Sequence, residues 1–174
     1  MLNIKGIDAY KSDKILSFPD ARELIRKLKS QDKKVGICHG GFDLLHPGHV
    51  KHFESAKQLC DILFISITSD KFVAARKRGG RPIYPENIRA YIISSIKFVD
   101  YVVISDFNTG IETIKSLKPT YYIKGPDYIN CNSKEINNER EAISSVGGKI
   151  KYTNDPKLAT TEVINYIKNK INSK

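Results

Sequence analysis

The chain has 174 residues, 40% of them hydrophobic, with 29 lysines and arginines against 19 aspartates and glutamates and a formal net charge of +10. That length suits one domain with a full core. No apolar run approaches the ~20 residues that cross a bilayer, and the start MLNIKGIDAYKSDK has no apolar signal region, so a cytoplasmic protein with no membrane partner is expected. Cys38, Cys60 and Cys131 are odd in number and lack CxxC spacing, which indicates neither a disulfide framework nor a zinc knuckle. The basic excess suits nucleotides, sugar phosphates or nucleic acid, and equally a lysine-rich solvated surface, so only local clusters inform.

In chain order, Ser17 can cap a helix with Pro19 in its first turn and Ala21, Leu24, Ile25 and Leu28 on one face. Lys34 to Cys38 reads as a strand. A glycine turn follows, then a helical pattern from Gly48 to Cys60. Asp61 to Ile67, DILFISI, is nearly all apolar and β-branched, as in a central parallel strand. A short helical stretch from Ser69 runs into RKRGGRP, Arg76 to Pro82, an expected exposed loop. Ile88, Tyr91, Ile92, Ser95 and Ile96 line the next helix, Tyr101 to Ile104 is a strand, and Ile111, Ile114 and Leu117 mark a further helix. Tyr121 to Ile123 ends at the turn Lys124 to Asp127. A helix carrying Ile136, Ile143 and Val146 stops at Gly147-Gly148, Lys149 to Tyr152 is the fifth strand, and Val163, Ile164, Ile167 and Ile171 form one face of a last helix from about Thr160. The alternation predicts an α/β fold: a single-domain, doubly wound, five-stranded parallel sheet with flanking helices, residues 14–174, behind an N-terminal extension, residues 1–13. In such sheets ligands bind beyond the carboxyl ends of the strands.

The stretch Gly40 to His49, GGFDLLHPGH, falls at such an end and opens a helix, where unpaired N–H groups and the helix dipole favour phosphate. All four histidines, His39, His46, His49 and His52, lie within fourteen residues. His46 and His49, three apart across Pro47-Gly48, can both donate to one phosphate. In nucleotidyl transfer the attacking oxygen is already a phosphate anion, so the task is stabilising charge on the α-phosphate and departing pyrophosphate. Two other readings stand beside this one: a Zn²⁺ site from His46, His49 and His52 at i, i+3 and i+6, and helix-capping structural histidines. A hydrolase is disfavoured, since there is no GxSxG elbow.

GGFDLLHPGH resembles the GxFDxxHxGH signature of the cytidylyltransferase-like nucleotidyltransferases. The resemblance continues in order through KILSFPDARELIRKLKSQDKKV, GGRPIYPENIRAYIISSIKFVDYVV, IKGPDY and TTEVINYI, and leans toward the adenylyltransferase domain of bacterial ADP-heptose synthesis through Arg81 to Pro85. A kinase domain often fused to such domains has no counterpart among these 174 residues. What the resemblance implies is a Rossmann-like sheet and an enzyme moving a nucleoside monophosphate from ATP to a sugar phosphate such as heptose 1-phosphate, for cell-surface polysaccharide precursors. Mg²⁺ would assist. A CTP-dependent enzyme acting on a polyol or amino-alcohol phosphate is the alternative, and a non-catalytic nucleotide or RNA binder the alternative from another class. No nucleic-acid partner is expected; a homodimer is.

By the same resemblance His46, His49 and Lys77 are catalytic, the last on a mobile loop against the phosphates. Gly40, Gly41 and Phe42 let the nucleotide approach, Asp43 holds the turn, and Arg89 looks toward the nucleotide, its bland reading being a surface pair with Glu86. Lys124, Gly125 and Asp127 match a KGxDY turn near base, ribose or metal, while Thr160 and Thr161 match a phosphate-binding S-T-T turn. No protein metal cluster is expected. The chain departs from the pattern at His39, Pro126 and Ala159, and Asn154 to Lys157 replaces the Arg-Thr-x-Gly lead-in of the glycerol-3-phosphate enzymes.

Overall fold

The computed structural model describes residues 1–76, 80–156 and 158–172. Among these described residues six strands form one sheet: β1 (Ile15–Leu16), β2 (Val35–Gly40), β3 (Ile62–Thr68), β4 (Tyr101–Ser105), β5 (Tyr121–Lys124) and β6 (Lys149–Tyr152). Their order is β1-β4-β3-β2-β5-β6, and every pairing is parallel. The sequence pattern led to five strands. The sixth is β1, whose Ile15 and Leu16 pair with Val102 and Val103. Two apolar residues cannot display an alternation of period two, so this edge strand is invisible to pattern and exists because β4 offers it an open edge.

Among the described residues seven α-helices flank the sheet: α1 (Phe18–Ser30), α2 (Pro47–Lys57), α3 (Asp70–Arg76), α4 (Glu86–Ser94), α5 (Gly110–Leu117), α6 (Lys134–Ser145) and, after the last strand, α7 (Thr160–Asn172). The α1 start follows from its cap: Ser17 Oγ accepts from the Asp20 N–H, with Pro19 in the first turn. Alternation along the strands sends side chains to two cores. Val35, Ile37, Phe64, Val103 and Tyr122 pack with Ile25 of α1, Ile114 of α5 and Ile143 of α6. Cys38, Leu63, Ile65, Val102 and Ile123 pack on the other face with Phe53 of α2 and Ile93 of α4. Burying a side chain such as Phe53 or Ile25 stabilises the fold by roughly 1.5–3 kcal/mol each. The three cysteines are free thiols.

The chain runs from β2 outward through β3 to β4, then returns across β2 to build β5 and β6 on the other side. The order therefore reverses between β2 and β5, and the connections leaving their carboxyl ends diverge there, opening a crevice. In α7 the apolar stripe is only partly covered: Val163 and Ile164 are half-buried, while Ile167 and Ile171 are 47% and 68% exposed. Among the described residues no helix is long and apolar enough to cross a membrane.

Candidate active site

The turn after β2 is shaped by its own side chains. Phe42 takes a left-handed backbone conformation (φ 41°) and packs edge-to-face on both His49 and Phe53, with centroids 5.3 and 5.2 Å away. His46 is the residue before α2, in extended conformation, and Pro47 follows in the first turn, where its missing N–H costs nothing. The His49 N–H donates to the His46 carbonyl at 2.9 Å, and the two rings stack at 3.8 Å. Gly48 suits that stack, because a Cβ there would crowd the His46 ring and the Leu158 Cβ at 3.1 Å. His46 is buried and its Nδ1 is turned inward without a partner among the described residues, leaving Nε2 to reach a ligand. Burial lowers the His46 pKa below the ordinary imidazole value, offset in part by Glu162, so the ring is neutral near pH 7.

A cavity of about 280 Å³ occupies the crevice. One wall is the β2 turn, with Gly40, Gly41, Phe42, Asp43, His46 and His49; the facing wall is the β5 turn, with Lys124, Gly125 and Asp127. The chain after β6 closes one side with Asp155, Leu158 and Thr160. Three separate stretches of expected site residues thus meet at the switch point. His52, one turn beyond His49, also lines the cavity, and its Nδ1 lies 2.9 Å from the Thr153 hydroxyl. Desolvation is the main cause lowering the His52 pKa, against the pull of Asp155. Burial also pushes His39 down to about 3, with Lys124 and Arg76 acting the same way.

Other expected site residues serve the frame. Asp43 is 1% exposed and fully engaged: it pairs with Arg81 and accepts from the backbone N–H groups of Ile83, at 2.5 Å, and Tyr84, at 3.3 Å. It therefore fastens the far end of the basic loop to the histidine turn. Arg89, also 1% exposed, does not line the cavity. Its guanidinium donates to the carbonyls of Gly41, Thr68 and Tyr84 and pairs with Asp70 at 2.7 Å, rather than with Glu86. Thr161 is exposed and outside the cavity wall. Lys77 lies outside the described residues.

The geometry can be set beside known proteins. Residues 37–170 match the model of the family described as Cytidylyltransferase-like. The chain belongs to that family. Its nucleotidyltransferase domain is 41% identical over 127 residues to the bifunctional protein HldE of Campylobacter jejuni strain RM1221, covering 71% of this chain and 28% of that protein. It is 35% identical over 168 residues to the protein of the same name from Campylobacter fetus, covering 95% and 34%. The chain thus spans about a third or less of the length of these relatives. Among solved structures, a lipopolysaccharide core biosynthesis protein from Thermoplasma volcanium aligns with TM-score 0.57 at 27% identity, over 73% of this chain and 99% of that one. The pantoate-beta-alanine ligase of Francisella tularensis aligns with TM-score 0.59 over 84% and 69%, at 15% identity, a likeness of fold alone.

For this cytidylyltransferase-like domain, sequence reasoning overlooked Asp155, Leu158, Tyr128 and Glu139 as cavity walls. Asp155 had a signal, since it stands in the segment replacing a familiar lead-in before Thr160. Its Oδ1 accepts from Ser55 at 2.6 Å, a contact between residues 100 positions apart that no local pattern reports. Among the described residues no group of three or more His, Cys, Asp or Glu could hold a metal ion. The Zn²⁺ reading of His46, His49 and His52 therefore has no structural support.

Proposed function

We propose that the chain transfers a nucleoside monophosphate, AMP from ATP in the first instance, to a sugar phosphate such as heptose 1-phosphate, with release of pyrophosphate. The observation that carries this reading is the stacked His46–His49 pair at the start of α2, on the wall of the crevice at the switch point. Two imidazoles and a helix N-terminus there offer hydrogen bonds to phosphate oxygens, and the His46 ring, held below the ordinary imidazole pKa by burial, adds no fixed charge to be desolvated. An oxygen of the acceptor phosphate attacks the α-phosphorus, a new P–O–P bond forms, and the α–β bond breaks with its electron pair leaving on pyrophosphate. No proton has to be removed. The histidines stabilise the charge that builds, and Lys77 with its basic neighbours in the sequence screens the leaving group.

Mg²⁺ fits this donor set. It keeps most of its waters and needs only one or two carboxylates beside substrate phosphates, and Asp127 is a cavity carboxylate able to hold it. When bound it neutralises phosphate charge. The likeness to a lipopolysaccharide core biosynthesis protein of Thermoplasma volcanium supports a sugar phosphate as acceptor and a place in cell-surface polysaccharide synthesis. Exposed Tyr166, Ile167 and Ile171 on α7 support the expected homodimer. A pyrophosphate-release screen of ATP, CTP, GTP and UTP against sugar, polyol and amino-alcohol phosphates tests the reading. Turnover with ATP and a sugar 1-phosphate is expected; turnover only with CTP and a polyol phosphate would replace it, and none with any pair would remove it.

A further inference from the structure

Far from the crevice, α1 and α5 end side by side at the amino edge of the sheet, just before β2 and β5, and leave a groove of about 280 Å³ between them. The six residues of β2 separate it from the histidine turn by roughly 20 Å. Ile25 and Leu117 close it below, and its rim is cationic: Arg22, Arg26 and Lys29 from α1, with Lys118 from the end of α5. Among the described lining residues there is no carboxylate and no aromatic ring.

Folding accounts for only part of this charge. Lys29 stands in the last turn of α1, where a cation offsets the helix dipole, and its ammonium donates to the Lys118 carbonyl at 2.7 Å, tying the two sides of the groove together. Arg22 and Arg26 are exposed and stand before that last turn, where the dipole gives them no reason to be cations. Arg22 has no hydrogen-bond partner among the described residues. Arg26 has Glu23, one turn away on the same helix, in an exposed pair of the kind that contributes little to stability. Lys118 goes further, because its backbone is left-handed, φ 48°, at the C-terminal end of α5. Glycine is the usual residue there, and any other side chain is strained. The fold thus keeps a strained residue and gains a cation on the rim.

The spacing matches an extended chain. Arg22 and Arg26 are four residues apart on a helix, an axial step of ~6 Å, while alternate side chains of an extended peptide recur every ~6.6 Å on one side. Arg22 through Lys29 spans ~10 Å, longer than a single small anion. Guanidinium forks bind carboxylates two hydrogen bonds at a time. Single-stranded nucleic acid is the weaker fit, since no ring lines the groove to stack a base.

We infer that the groove between α1 and α5 docks an acidic, extended segment of a partner protein, with Arg22 and Arg26 holding successive carboxylates on one side and Lys118 reaching the segment from the facing helix. A partner held there leaves the crevice open. Fluorescence anisotropy with labelled hexaglutamate tests this on the full chain, on Arg22→Glu/Arg26→Glu, and on Lys168→Glu/Lys170→Glu, which changes net charge equally but on α7. The expected result is a loss of affinity of at least about tenfold in the first double variant and of less than about twofold in the second, with melting near that of the parent in both. Equal losses in the two double variants, or no binding of hexaglutamate to the parent, overturn the inference. Tighter binding of hexauridylate than of hexaglutamate, with the same loss in Arg22→Glu/Arg26→Glu, overturns the acidic protein in favour of a nucleic acid. Lys118→Gly gives an arm in which stability and binding move apart: relief of the left-handed backbone should raise the melting temperature while hexaglutamate binds about two- to threefold more weakly. A melting gain with unchanged peptide affinity overturns the place of Lys118 in the surface.

Discussion

Two stretches bound the crevice at the switch point, and they are held in opposite ways. The turn after β2 is braced from within and below, by Phe42 against His49 and Phe53, by the His46–His49 stack and by the fully engaged Asp43 and Arg89. The segment after β6 has few anchors: the Thr153 N–H to the Lys124 carbonyl, the Thr153 hydroxyl to His52, and Asp155 to Ser55, with Leu158 still 38% exposed. Two of those three anchors come from α2, the helix that carries His46 and His49 at its start. The segment after β6 is thus hung on the helix that carries the histidine pair, and local opening of the first need not disturb the second.

Breaking the braced side should cost most. Asp43→Ala strands the Arg81 guanidinium and two backbone N–H groups, and should destabilise the fold by ~3–5 kcal/mol in urea titrations. A loss below about 1 kcal/mol would mean that the loop is held by something other than Asp43. His46→Ala or His49→Ala should lower turnover by about 10²–10³, as expected for removing one donor to developing charge, with near-parental melting. An unchanged rate in either variant would remove that residue from the chemistry.

Acid should expose a smaller difference. An imidazole kept neutral by burial binds fewer protons folded than unfolded, so its stabilising effect is complete above the unfolded pKa of ~6.5 and is lost as pH falls toward the folded value. For His39 that window runs from about 6.5 down to about 3. Between Ser66 and Thr68, His39→Asn keeps a polar partner for both hydroxyls and removes the titration. The melting temperature of the parent should therefore fall more steeply than that of the variant from pH 7 to 4.5, and parallel curves would refute the assignment. The loosely held side should give least: Ser55→Ala removes one bond to Asp155, costs ~1.5 kcal/mol or less, and should raise the KM for nucleotide a few-fold without changing kcat. A fall in kcat equal to the rise in KM would show that the two sides act as one unit.

How much of this was legible follows from where the information lies. The long strands and amphipathic helices are local patterns, and β2, β3 and β5 emerge within a residue or two of their read positions. The histidine turn is equally local, ten residues with fixed chemical types. Lys124 and Thr160 were placed near the crevice because strand-end positions in a parallel sheet converge. What escaped depends on partners far along the chain. β1 exists through Val102 and Val103, Asp155 is oriented by Ser55, and Glu139 matters through Lys124 and Tyr122. Arg89 is expected to face the nucleotide only through the family resemblance, and the carbonyls of Gly41, Thr68 and Tyr84, acceptors that no pattern displays, take its donors instead.

That arginine has a consequence for how the molecule would look under exhaustive mutagenesis. Three carbonyls and a carboxylate from separate segments converge on one planar fork, a geometry that lysine, with a single ammonium, cannot reproduce. Position 89 would therefore score as intolerant as positions 46 and 49 in any selection for activity. A parallel selection for abundance would part them: Arg89 variants would disappear from the pool of folded protein, whereas histidine variants would accumulate there, intact and inactive.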